Sequence, residues 1–172
     1  MEELDEYRLK LLDYLDRQPA EYRAVLHAIP ARHWPTPDVG EAGESIHRLV
    51  AHVRDYETLA FWPRLRRVLI EERPTLEPFA SHNLNAENYL PNEVMDDLLA
   101  EFEHTRLEAT HLLRKIASED WSRTGFHPPS GNRSVMWWAE RAHNHARDHL
   151  REIEKVLDTI GTRPFKPLTS QP

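Results

Sequence analysis

The residues best suited to chemistry are His145 and His149, in the run His145-Ala146-Arg147-Asp148-His149, and His52, within Leu49-Val50-Ala51-His52-Val53. A spacing of four puts both imidazoles of the pair on one face of a helix, offset by about 40°, so that they can chelate one cation. His52 is a polar ring among apolar neighbours and needs a partner. If the helices carrying these residues pack together, three neutral nitrogens could hold a divalent metal and leave a position open for water or substrate, as in catalytic zinc sites. Such an ion lowers the pKa of a bound water or thiol, generating a nucleophile near neutral pH.

Composition narrows the chemistry further. The 172-residue chain has no cysteine, so disulfide frameworks, thiolate zinc sites and a cysteine nucleophile are excluded, and a metal must be held by nitrogen and oxygen. The formal charge of −7 argues against a nucleic-acid partner, because duplex binding draws on lysine and arginine at phosphates. The one concentrated basic patch, Arg64-Leu65-Arg66-Arg67, reads as a solvated helix face. An acidic amino terminus, Met1 to Glu6, and no apolar run near the roughly 20 residues of a membrane helix suggest a soluble, unprocessed chain. No membrane partner and a cytoplasmic location are expected.

The elements that must position the histidines are helical. Leu4, Tyr7, Leu11, Tyr14 and Leu15 recur at three and four residues, with a break or kink expected near Gln18 ahead of Pro19, before Tyr22, Val25, Leu26 and Ile29 resume the pattern. Trp34 to Gly40 reads as a loop. A second helical segment starts at Glu44 or Ser45 and carries Ile46, Leu49, Val53, Tyr56, Ala60 and Leu69, with a kink or early end expected at Pro63 inside it. Arg73 to Pro91 reads as a long connection. A third helix, capped by Asn92, presents Val94, Leu98, Phe102, Thr105, Ala109, Leu112 and Ile116. Ser118 to Arg133 reads as a second loop. Ser134 caps a last helix whose inward positions are Trp138, Ala142, His145, His149, Ile153, Val156 and Ile160, ending at Gly161.

No segment shows sustained period-two alternation, and no internal repeat is evident. The expected architecture is an all-α four-helix bundle with long crossover connections: a single domain over residues 1–161, then a loose tail over 162–172.

The element Ser45-Ile46-His47-Arg48-Leu49-Val50-Ala51-His52-Val53-Arg54-Asp55-Tyr56-Glu57 and the element Trp137-Trp138-Ala139-Glu140-Arg141-Ala142-His143-Asn144-His145-Ala146-Arg147-Asp148-His149-Leu150, with the proline-rich lead-in ending at Gly43, resemble the DinB-like superfamily of damage-inducible four-helix bundles. The resemblance spans most of residues 3–160. It implies a frequently dimeric bundle, here a homodimer, whose metal ligands are His52, His145 and His149. The ion it implies is zinc or nickel, with iron or manganese as further candidates. Relatives in this superfamily include metal-dependent enzymes that work with low-molecular-weight thiols, so it implies a small-molecule substrate and a thiol S-transferase or hydrolase reaction. A non-catalytic metal-binding or structural bundle is the alternative, and fold transfers better than activity.

Taken singly, His52 reads first as a satisfied core or boundary histidine; the inward pair and the family frame together make it a ligand candidate. His143, two residues from His145, points about 200° away and is expected at the surface or an interface. His47 is off the His52 face. Glu44–His47, Glu101–His104 and Glu140–His143 have the Glu-x-x-His spacing of di-iron bundles, but His143 does not point inward. Trp138 reads as core and Trp137 as a pocket rim or interface residue. Asp148 and Glu152 are the acids near enough to support a ligand imidazole, with Asp148 expected as a surface charge. No general base is assigned.

Overall fold

The computed structural model describes residues 2–37, 43–78 and 89–160. Helix α1 runs from Glu2 to Ala28, α2 from Ile46 to Asp55, α3 from Trp62 to Ile70, α4 from Met95 to Leu113 and α5 from Val135 to Thr159. A π-helical segment, Tyr56–Phe61, joins α2 to α3 without a break, so the two form one long member of a four-helix bundle. Gly161 and the expected tail, 162–172, lie outside the described residues.

Proline acts differently at its two helical positions. At Pro63 the chain has no N–H for the Leu59 carbonyl and a ring that crowds it. The preceding residues widen into a π turn, with the Trp62 N–H donating to the Glu57 carbonyl. The expected kink or end is thus a π segment. Pro19 does not break α1, which is continuous through it. The same stretch is held from the side by Gln18, whose Nε2 donates to the His143 carbonyl at 2.9 Å, and by Tyr22, whose hydroxyl donates to the Ala146 carbonyl at 2.7 Å. Leu4, Tyr7 and Tyr14 are exposed, so the buried stripe of α1 starts only at Leu11.

The caps at the site-bearing helices follow the sequence. Ser45 Oγ accepts from the Arg48 N–H at 3.2 Å and Ser134 Oγ from the Trp137 N–H at 3.1 Å, each satisfying an orphan donor of the first turn. Helix α4 departs from expectation: it begins at Met95 with Val94 in extended conformation before it, because Asn92 sits in the preceding turn.

In the bundle, α1 packs chiefly on α4 and α5, and α2 packs on the same two helices from the other side. Helices consecutive in sequence, α1 with α2 and α4 with α5, therefore lie across diagonals, which requires long connections. The second of these is not all loop. After a 3₁₀ turn, Ser118–Ser122, strands β1, Thr124–His127, and β2, Gly131–Ser134, pair antiparallel. With only four residues each and few β-branched side chains, they leave no period-two signal. Gly131 closes the turn at φ 78, open to glycine at no steric cost. Gly125 presses on α3: a Cβ there would lie 3.0 Å from Val68 Cγ2 and 3.1 Å from the Pro74 carbonyl.

The apolar core falls into two clusters. One contains Tyr22, Leu49, Val53, Phe102, Ala146 and Ile153; the other contains Leu15, Phe61, Leu113, Trp138 and Ala142. Between them each helix contributes polar groups to one layer: Gln18 from α1, Glu57 from the π segment, Arg106 from α4 and the carbonyls of Ala142 and His143 from α5. Arg106 Nη2 lies 2.8 Å from Glu57 Oε2 and donates to the Ala142 carbonyl at 3.0 Å. Three donors on α1 and α4 thus grip the Ala142, His143 and Ala146 carbonyls, on either side of His145 in α5.

Candidate functional site

That grip fixes the rotation of α5, and with it the direction of the histidine pair. His145 and His149 come together with His52 of α2: the ring centroids are 5.1 Å apart for His52 and His145, 4.9 Å for His52 and His149, and 4.7 Å for His145 and His149. One ring nitrogen from each of the three lies within 4.8 Å of the others. The Nε2 atoms of His52 and His145 are 3.2 Å apart, close to the separation of about 3.3 Å that two nitrogens take at about 2.05 Å from a tetrahedral ion. The donor set fits a divalent cation on both type and spacing.

Two of the rings, those of His52 and His145, are already in the protonation state a metal requires. Burial first, then the neighbouring His149, pushes the His52 imidazole down to about 4. Burial, then His149 and His52, pushes His145 down to about 2, with the buried Arg106 charge adding to the effect. Both are neutral at pH 7, with lone pairs available. His149 Nδ1 lies 2.9 Å from Glu152 Oε2. As an N–H donor to that carboxylate, it leaves Nε2 turned to the cluster, the arrangement that fixes the tautomer of a ligating histidine. Asp148 is exposed and pairs weakly with Arg151 at 3.7 Å.

The remaining histidines separate from the cluster. His143 faces α1, not the surface: its ring stacks on Tyr14 at 5.6 Å, and burial lowers its imidazole to about 4. His47 is buried for structural reasons, with Nδ1 2.7 Å from the Tyr89 hydroxyl and Nε2 2.8 Å from the Glu93 carbonyl. The Glu-x-x-His spacings do not converge. Glu44 pairs with Arg48, Glu140 accepts from Tyr7, and His104 is exposed. Among the described residues, His52, His145 and His149 form the one group of three or more histidines or acids with metal-holding geometry.

Two side chains of the π segment wall the cluster and were not singled out as site residues in the sequence. The Tyr56 ring lies 4.7 Å from His52 and 4.5 Å from His145, and Phe61 lies 5.4 Å from His145. A signal for Tyr56 existed: it follows His52 by four, the same stacking that joins His145 to His149. Phe61 had none, because the π turn shifts its face relative to a 3.6-residue repeat. Arg64 is also unlike its expected solvated role. It is buried, lies over the Trp138 indole at 5.3 Å and donates to the Glu77 carbonyl at 2.9 Å.

Fold and site define an all-α bundle with diagonal connections and a three-histidine cluster between facing helices. The chain belongs to the DinB superfamily, whose family model matches residues 14–153. Among solved structures it is similar to YfiT from Bacillus subtilis, described as a probable metal-dependent hydrolase with an unusual four-helix bundle topology. The TM-score is 0.83 at 19% identity, covering 92% of this chain and 90% of that one. At that identity the likeness carries the fold. No curated protein matches the chain. No helix among the described residues is long and apolar enough to cross a membrane.

Proposed function

We propose that the chain is a metal-dependent enzyme acting on a small molecule, with His52, His145 and His149 as ligands of one divalent ion and hydrolysis as its reaction. The observation that carries this reading is the approach of two neutral, half-buried imidazoles to 3.2 Å, in a group that no fourth histidine or acid joins among the described residues. Three nitrogen ligands leave a tetrahedral ion one position for an exchangeable ligand, whereas a structural site would close it. When bound, the ion supplies Lewis acidity and a nucleophile at neutral pH. The chain's own residues do the rest: Glu152 orients His149, the polar layer around Arg106 sets α5, and Tyr56 and Phe61 shield the cluster from bulk water. The description of YfiT as a probable metal-dependent hydrolase supports the same reaction class.

Thiol S-transfer is the second chemistry. A chain without cysteine has no thiol of its own, so a low-molecular-weight thiol would enter as a substrate at the open position. Zinc and nickel suit an all-imidazole set, iron and manganese less well. A homodimer and a cytoplasmic location complete the proposal. Metal-loaded protein assayed against panels of ester and amide substrates, and against electrophiles with small thiols, tests it. Turnover abolished by His145→Ala supports the enzyme; stoichiometric metal with no turnover in either panel favours a storage or structural bundle.

A further inference from the structure

The buried layer that grips α5 carries donors that no acceptor of the chain meets. Arg106, 1% exposed, engages Glu57 at 2.8 Å and the Ala142 carbonyl at 3.0 Å, both through Nη2. Its Nε and Nη1 are buried and have no protein partner. The Phe102 ring at 5.2 Å offers the guanidinium a π face in place of a lone pair. Trp138, 2% exposed, shares the deficit, since its Nε1 is also buried without a partner. A guanidinium and an indole N–H donate and never accept, so neither can satisfy the other. Native interiors leave few such groups unpaired.

Both side chains line one cavity, together with Glu57 and Thr110. Every lining residue except Trp62 is buried, so the space lies inside the bundle. It leaves about 20 Å³ for the centre of a water-sized sphere, and one water needs about 10–15 Å³. The cavity is sized for a single water, not for a substrate. Its walls also supply acceptors. The Glu57 carboxylate has lone pairs beyond the one facing Arg106, and Thr110 Oγ1, which donates to the Arg106 carbonyl at 3.0 Å, keeps its own lone pairs for accepting. Charge separates water from other small occupants. Glu57 already neutralises Arg106, and burial drives the first up and the second down from their ordinary values, so a small anion would leave uncompensated negative charge in the core. A neutral molecule that both accepts and donates meets these walls without that cost, whereas an apolar occupant would leave every donor unpaired.

We propose that this cavity is an internal water site, in which one ordered water accepts from Arg106 and Trp138 and donates to Glu57 and Thr110. Its place gives it a structural role. Phe61 and Ala142 line the same cavity; the Phe61 ring packs on His145 at 5.4 Å, and the Ala142 carbonyl is the one that Arg106 holds. The water therefore ties α4, the π segment and α5 together one side chain away from the histidine cluster. It does so whether or not the cluster carries a metal.

The test uses the full chain, labelled with ¹⁵N for nuclear magnetic resonance and crystallised in parallel. Through-space cross-peaks from a long-lived water to the Trp138 indole N–H and to the Arg106 Nε–H are expected. The crystals should show one ordered oxygen in the cavity, within about 3.2 Å of Arg106 and of at least one acceptor. They should take up neither xenon under pressure nor bromide from a soak. Xenon in the cavity marks a dry apolar space and bromide marks an anion site; either result overturns the proposal, as does a cavity with no ordered oxygen. So does a water found instead between Arg106 and Gln18 Oε1, a buried atom also without a partner, on a residue outside the lining. Ala109→Val adds apolar bulk to the wall from α4 and should abolish both cross-peaks while the protein stays helical by circular dichroism. Cross-peaks that persist in the folded variant place the water elsewhere and overturn the assignment; if the variant fails to fold, the wild-type crystals decide alone.

Discussion

Replacing the partners of the buried ion pair, Glu57→Leu and Arg106→Met, singly and together, tests the polar layer that orients α5. The two side chains are 4% and 1% exposed, and Arg106 has only the Ala142 carbonyl as a further acceptor while its Nε and Nη1 have none. Either single change strands a charge in the core, at about 3–5 kcal/mol. For a chain of this size that lowers Tm by about 10 °C, taking about 2–4 °C per kcal/mol. The double variant should behave differently. Burial drives Glu57 up and Arg106 down from their ordinary values despite the attraction between them, so desolvation outweighs pairing, and an apolar pair should come within about 1 kcal/mol of wild type. Zinc affinity of the double variant should still fall, because Ala142 loses its clamp one turn before His145. Urea unfolding followed by circular dichroism, with zinc titration of each variant, reads both effects. Single losses below about 1 kcal/mol, or a double loss equal to their sum, would refute the reasoning.

Two further outcomes follow from the cluster. Glu152→Gln keeps the shape but weakens the acceptor at His149 Nδ1; zinc affinity should fall about 10–100-fold with unfolding of the chelator-treated protein unchanged, and unchanged affinity would remove Glu152 from the site. The metal-free protein should lose stability as pH falls below 6.5. The folded-state values of His52 and His145, about 4 and about 2, lie below the unfolded one, so the unfolded chain binds more protons in that window and gains about 1.4 kcal/mol per pH unit per ring. The His52 contribution flattens below about pH 4, and His145→Gln should show a shallower slope in urea midpoints between pH 6.5 and 5.

Much of this was legible in residue spacing. Trp138, Ala142 and Ile153 mark the buried face of α5, and Ser45 and Ser134 mark where the two site-bearing helices begin, because caps and periodicity are local properties. The juxtaposition of His52 with the pair is not local. It depends on diagonal helix packing, and only the family frame pointed to it. The hairpin escaped because Gly125 and Gly131, read as loop glycines, serve a close approach and a turn. Arg64 escaped because a basic run on a helix ordinarily faces water, whereas the π turn ahead of Pro63 rotates this one onto Trp138. The Arg106–Glu57 contact left no trace, since the two residues stand on different helices with no periodic signal between them.

Metal stoichiometry in three single variants addresses the central claim most directly. Protein purified without chelator, loaded with zinc, desalted and analysed for elemental content should hold about one ion per chain in wild type. His145→Ala and His149→Ala should each hold almost none, while His143→Ala, whose ring stacks on Tyr14 and not with the cluster, should hold the wild-type amount. Equal loss in all three, or no zinc in wild type, would contradict the account.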